Sequence, residues 1–171
     1  HAVKFRKLKA SGMSFTKRNR AGFIKRIGMG VMERLLSHHP GKDPFIVTSR
    51  MAEILPFIKE ELKKVRDDKL PLSDYVTSCA VREEYKGDSD LKQKRIIEKI
   101  EKREGVKLMP NSRIRFVRVQ GKALKNSDLY ESPKYVESGE FKVDRAWYIE
   151  DCGKSLKSEL KLTPVILEKS L

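Results

Sequence analysis

The chain has 171 residues, with 38 lysines and arginines against 24 acids and a net charge of +14, and its pI is near 9.8. That length suits one domain, or a domain plus a small lobe, and the charge surplus points to a polyanionic partner rather than to a fold. No run of eighteen apolar residues exists to span a bilayer as a helix, and no apolar leader precedes a small-residue cleavage site, so no membrane partner is expected.

The basic charge is concentrated at the start. Lys4, Arg6, Lys7, Lys9, Lys17, Arg18, Arg20, Lys25 and Arg26 occur before the first acid, Glu33. A solvated tail would account for them, but Phe15, Phe23, Ile24 and Ile27 interleave with the charges and imply that part of this segment packs. "GMSFTKRN" reads as a short strand with Met13 and Phe15 on one face. Asn19 is then placed to cap a helix from Arg20 to about Leu36, whose Phe23, Ile24, Ile27, Val31, Leu35 and Leu36 recur at helical spacing. Gly28 and Gly30 either weaken this helix or admit something close to its backbone. "SHHPGKDP" ends it, with His38 and His39 serving the helix end rather than a metal.

A second helix is expected from about Ser49 to Arg66, with Met51, Ile54, Leu55, Ile58 and Leu62 as its stripe and Pro56 as a kink or late start. "DDKLPLSDYVTSCAV" passes through a turn into a short helical or extended piece. Residues 89–103 form a third helix with a narrow face of Leu91, Ile96, Ile97 and Ile100. "SRIRFVRV" alternates as a strand, with Ile114, Phe116 and Arg118 facing one way and Arg113, Arg115 and Val117 the other. A final helix runs from about Val143 to Leu160. The class is α+β, mostly helical, with a small β element.

Cys79 and Cys152 have no C-x-x-C partner, and with His1, His38 and His39 they form no zinc motif, so a reduced intracellular protein is expected. Cys79 beside Arg82 could be a reactive thiol, but a buried small residue is the favoured reading. Trp147 and Tyr148 read as packing under the last helix rather than as base-stacking platforms, and Tyr75, Tyr85 and Tyr130 are too scattered for a single-strand surface. Asp88 and Asp90 bracket Ser89 in the form of a metal-holding pair. However, Arg82, Glu83, Glu84 and Lys86 before them and Lys92, Gln93 and Lys94 after them are not the apolar strands a catalytic hairpin needs. Gly87 makes a turn, Asp88 or Ser89 caps the helix, and Asp90 in its first turn favours the dipole.

Five segments, in order, resemble the C-terminal palm edge and thumb of family B DNA-directed DNA polymerases. "ASGMSFTKRNRAGFIKRIGMGVMERLL" is similar to the palm-to-thumb K-G-(I/V)-x-(F/I)-V-(R/K)-R-D strand and following helix, and "LPLSDYVTSCAVREEYK" to the L-x-D-(F/L)-V-I-(S/T)-K-x-L and E-Y-K segment. "KQKRIIEKIEKREG" resembles P-H-V-x-V-A-x-R-(L/M)-x-x-(R/K)-G, and "NSRIRFV" resembles G-D-R-I-x-Y-V. "YESPKYVESGEFKVDRAWYIED" resembles A-E-D-P-x-Y-V followed by I-D-x-x-Y-Y-I-E-x-Q. Asn19 replaces the family's Asp, Ser78-Cys79 its Ser/Thr-Lys pair, and Lys92-Gln93-Lys94 its P-H-V. These departures, with the absent cysteine-rich metal modules, imply a divergent, viral-type member.

The resemblance implies residues 1–18 as the end of the palm and a basic connection, 19–162 as the thumb and 163–171 as a tail. His1 in place of Met suits a piece of a longer protein. The palm's D-T-D-S hairpin, where Mg2+ is expected, and its S-L-Y-P-S-type motif are not in this sequence, so no cofactor and no catalytic residue are assigned to it. The implied partners are primer-template duplex DNA, the remainder of the polymerase and a processivity factor; the C-terminal "LTPVILEKSL" is short and apolar enough to dock one but does not identify it. The implied location is intracellular, at DNA in a nucleus or a viral replication site. Lys17, Arg18, Arg20, Ser78, Arg82, Lys86, Lys92, Gln93, Lys94, Lys99 and Arg113 are the expected DNA contacts. Each taken singly has a solvated surface charge as its competing explanation. Composition alone also fits a small basic accessory protein of ribosomal or packaging type, and Asp88 with Asp90 is the remaining case for a metal nuclease.

Overall fold

The computed structural model describes residues 13–17, 19–36, 46–85, 88–122 and 126–160. The protein is mostly helical with one small antiparallel sheet, an α+β arrangement. It divides into a unit of residues 1–70 with 145–171 and a second unit of residues 71–144.

The first unit is built on α1 (Gly22–Leu36), α2 (Ile46–Arg66) and α5 (Arg145–Leu160). Helical spacing brings Phe23, Ile24, Ile27 and Val31 of α1, Ile54, Ile58, Leu62 and Val65 of α2, and Tyr148, Cys152 and Leu156 of α5 into the interior. Each large apolar side chain among them contributes about 1.5–3 kcal/mol relative to leaving it in water. Phe23 and Tyr148 meet edge to face at 6.1 Å, and Trp147 stands edge-on to Tyr148 at 5.1 Å, so the aromatic pair of α5 serves packing. α2 begins at Ile46 and continues through Pro56, which is exposed on its outer side.

The strand expected at residues 13–16 is instead a 3₁₀ turn, Ser14–Thr16, closed by the Thr16 N–H and hydroxyl donating to Met13 O at 3.1 and 2.8 Å. The physical reason lies on α1. Phe15 is turned inward and lies so close to Gly28 that a Cβ there would stand 2.5 Å from its Cγ. Gly30 likewise takes the Phe57 ring, with a Cβ position 2.5 Å from its Cζ. Both glycines are therefore sites of close approach.

Ion pairs brace this unit. Arg20 grips Asp151 through both carboxylate oxygens at 2.5 and 2.6 Å, fixing the entry of α1 against α5. Glu61 accepts from Lys64 at 2.5 Å and from Arg26 at 3.2 Å. Burial pushes the Glu61 carboxyl up, but the hydrogen bonds and charges of Lys64 and Arg26 outweigh it and hold the group below its ordinary 4.5. Arg145 on α5 reaches Asp68 at 2.7 Å.

In the second unit β2 (Arg113–Arg118) is the central strand, between β1 (Thr77–Ala80) and β3 (Tyr130–Glu131), all antiparallel. The register sets Thr77 opposite Phe116, Cys79 opposite Ile114 and Arg118 opposite Tyr130. α3 (Asp88–Glu104) covers one sheet face with Ile96, Ile97 and Ile100, which pack on Cys79, Val81, Ile114, Phe116 and Tyr130. Arg118 follows its strand face inward as alternation requires and is matched by Asp144 at 3.3 Å. α4 (Pro133–Glu137) starts with proline at its first turn, where the missing N–H costs nothing.

The side of α3 facing β3 is polar. Glu131, buried, takes Lys99 Nζ at 2.6 Å and Arg103 Nη1 at 3.2 Å on Oε1. Lys99 also donates to the carbonyl oxygens of Asp128 and Tyr130. Arg103 continues to Glu140 and lies over the rings of Tyr135 and Phe141 at 4.1 and 4.9 Å.

Three outcomes are expected in urea denaturation. Gly28→Ala should cost about 1–3 kcal/mol, and Phe15→Leu should recover part of that loss rather than add to it. Glu131→Ala, which strands two cations, should cost about 2–4 kcal/mol. For Glu61, a carboxyl lowered by folding contributes fully above its unfolded value and less as pH falls through the folded one. Glu61→Gln should therefore lower stability at neutral pH and converge on the unsubstituted protein in acid.

Candidate nucleic-acid interface

Strand alternation sorts the β1–β2 ladder into two chemistries. Thr77, Cys79, Ile114 and Phe116 face α3, while Ser78, Ala80, Arg113 and Arg115 face away from it. Ser78 lies opposite Arg115 in register, and its hydroxyl accepts from Arg113 Nη2 at 2.9 Å. Arg113 and Arg115 are two residues apart on an extended strand, about 6.8 Å, which lets them meet two separate phosphates.

β1 continues past Ala80 as Val81 exchanges backbone bonds with the turn before β2, its N–H to Ser112 O at 2.8 Å and its O from Asn111 N–H at 2.9 Å. Arg82 is thereby delivered to the same end of the sheet, exposed, with its N–H held by the Tyr85 hydroxyl at 2.8 Å. Cys79 senses both neighbours. Burial raises its thiol above 9.0, while Arg113 and Arg82 pull it the other way without prevailing. Cys79 is a buried packing residue, and Cys152, pushed up to about 12 by burial, is another.

The structure thus brings Ser78, Arg82 and Arg113 together, and adds Arg115. The alternation of "RIRFVR" already carried the signal for Arg115, which matches Arg113 in face and exposure. Gln93 is half-buried and Lys94 exposed on α3, the layer covering the opposite sheet face, with Lys94 3.7 Å from Glu98. Lys99 belongs to the Glu131 network, and Lys17 and Arg20 lie in the other unit, Lys17 exposed and Arg20 on Asp151. Arg18, Lys86, His38, His39 and the 163–171 tail fall outside the described residues, as does the side chain of Lys92.

α3 begins at Asp88, where a turn and helix start were expected; the side chains of Asp88 and Asp90 are outside the described residues. Among the described residues no three His, Cys, Asp or Glu converge as a metal site. Among the same residues no helix is long and apolar enough to cross a membrane. The chemistry this surface offers is anion binding by guanidinium.

Comparison with known proteins gives the chain a family. The family model for DNA polymerase family B matches residues 1–161. A DNA polymerase of Acanthamoeba polyphaga mimivirus is 25% identical over 151 residues, covering 84% of this chain and 8% of the relative. A DNA polymerase of Pyramimonas orientalis virus is 23% identical over 154 residues, covering 87% of this chain and 12% of the relative. In fold, the chain matches the family B DNA polymerase of the hyperthermophilic archaeon Pyrobaculum calidifontis with a TM-score of 0.65 at 18% identity, over 85% of this chain and 18% of that one. The chain therefore spans a small part of the length of the proteins it matches, and it belongs to DNA polymerase family B.

Proposed function

We propose that this chain is the thumb portion of a family B DNA polymerase, and that it holds the primer-template duplex during template-directed DNA synthesis. The observation that carries the reading is the guanidinium face of the sheet. Arg113 and Arg115 face outward on β2, Ser78 lies opposite Arg115 and accepts from Arg113, and Arg82 follows the end of β1. A duplex leaving a polymerase has to be held whatever its sequence. Phosphate oxygens are the constant feature of that duplex, and bidentate guanidinium donors suit them.

The catalytic carboxylates and their Mg2+ belong, in this proposal, to the palm of the parent chain. The grip is then the part contributed by these residues, and the place of action is intracellular, at replicating DNA. Lys17 and Lys94 serve as outlying phosphate contacts. Lys99 and Arg20 act instead on the scaffold, since each already has a carboxylate within 2.6 Å. A processivity factor remains a partner of the parent enzyme in this reading.

Fluorescence anisotropy with a labelled primer-template duplex tests the assignment. With about five to eight phosphates neutralised, log affinity should fall against log salt with a slope of roughly −5 to −7. Arg113→Ala and Arg115→Ala should each flatten that slope by about one and weaken binding alike for unrelated sequences. A shallow slope, or tighter binding to structured RNA than to the duplex, would refute the duplex-holding role and favour a basic accessory protein.

A further inference from the structure

The loop joining α3 to β2 exposes apolar side chains although it is tightly built. Gly105, at φ +66°, turns the chain out of α3, and Val106 N–H donates to Glu101 O at 3.2 Å. Leu108 N–H donates to Glu101 Oε1 at 2.7 Å and its side chain packs against the core, so the loop is anchored from beneath. The Ser112 N–H and hydroxyl both close on Met109 O, at 3.1 and 2.6 Å, across Asn111 in the left-handed region. Yet Met109 is 72% exposed and Val106 48%. Among the described residues of the 71–144 unit they are the two large hydrophobic side chains left open to solvent, and they share this one loop.

Single apolar residues on a surface need no explanation; a braced pair inside a basic frame does. Residues 105–115 contain no acid, Lys107 is exposed between the two apolar side chains, and the turn leads directly into Arg113. The pairing of Val81 with Asn111 and Ser112 sets Arg82 beside the same turn. An apolar tip framed by cations complements a groove with apolar sugar edges between two rows of phosphates.

We propose that this tip reads the sugar of the bound duplex. Met109, with Val106 beside it, packs on the deoxyribose edges of the minor groove and makes the grip selective for DNA over RNA. This rests on the duplex-holding role and adds a specificity-determining residue to it. A thioether and an isopropyl group offer no strong hydrogen-bond partner. Deoxyribose presents C–H at the 2′ position, whereas ribose presents a hydroxyl that would be covered without a partner, in a groove that is also wider and shallower.

The test is anisotropy with the full chain on a labelled DNA duplex and an RNA duplex of the same sequence, each over a salt series. The unsubstituted chain should prefer DNA by about tenfold, a modest discrimination of the size one uncompensated hydroxyl supports. Met109→Ala with Val106→Ala should cut that preference to about twofold by weakening DNA binding, with the salt slope unchanged because no phosphate contact is lost. Met109→Gln, similar in length but able to hydrogen-bond, should raise RNA binding relative to DNA. Both side chains are exposed, so an unchanged circular dichroism spectrum is expected for the variants.

A double variant that keeps the full preference overturns the proposal, and so does one that flattens the salt slope. If the unsubstituted chain binds DNA with the steep slope and the variants match it, only the tip assignment falls, which includes the case of a tip that docks a protein. If the unsubstituted chain binds no duplex, the duplex-holding role falls and this inference with it.

Discussion

The Glu131 carboxylate takes Lys99 at 2.6 Å and Arg103 at 3.2 Å from successive turns of α3, while its own backbone pairs with the central strand through Val117. Burying a carboxylate costs several kcal/mol unless opposite charge and hydrogen bonds offset it. The two cations supply that offset only when α3 lies along the sheet in one rotation and one register. The helix is thereby committed to presenting Ile96, Ile97 and Ile100 to the sheet. The guanidinium face depends on this, because a one-residue slip of β2 would turn Arg113 and Arg115 toward α3 and Ile114 and Phe116 toward water.

Part of the chain's positive charge is engaged in holding the protein together. Arg20 is tied to Asp151, Arg26 and Lys64 to Glu61, Lys99 and Arg103 to Glu131, Arg118 to Asp144, Lys134 to Glu104 and Arg145 to Asp68. A net charge of +14 therefore describes the field around the molecule rather than the number of contacts it makes. Arg113 and Arg115 stand apart from these pairs on a strand, where spacing is fixed.

Periodicity made α1, α3 and β2 legible: the helices each have one buried stripe, and β2 alternates until Val117, which is buried although it falls on the face of Arg113 and Arg115. The alternation of β2 even carried Arg118 to the inner face, although only the fold shows Asp144 waiting for it. What could not be read depended on partners distant in sequence. Met13 and Phe15 alternate like a short strand, and the 3₁₀ turn wins because Phe15 has a glycine-lined place on α1. Lys99 looks like any exposed helix lysine until Glu131 arrives from β3. The resemblance to family B polymerases was legible because it lay in the order of five segments, each weak alone. Of this sheet it implied Ser78, Arg82 and Arg113 and not Arg115, which shares the face and exposure of Arg113.

The chain leaves the first unit after Leu70 and re-enters it at Arg145, and Asp68 and Arg145, the residues flanking that excursion, are joined by an ion pair at 2.7 Å. Residues 71–144 are thus an insertion whose two ends are kept at one point of the host. A loop already closed at its base can be lengthened, exchanged or remodelled with little added entropic cost to the helices that carry it. Asp68 and Arg145 supply that closure here in a single ion pair.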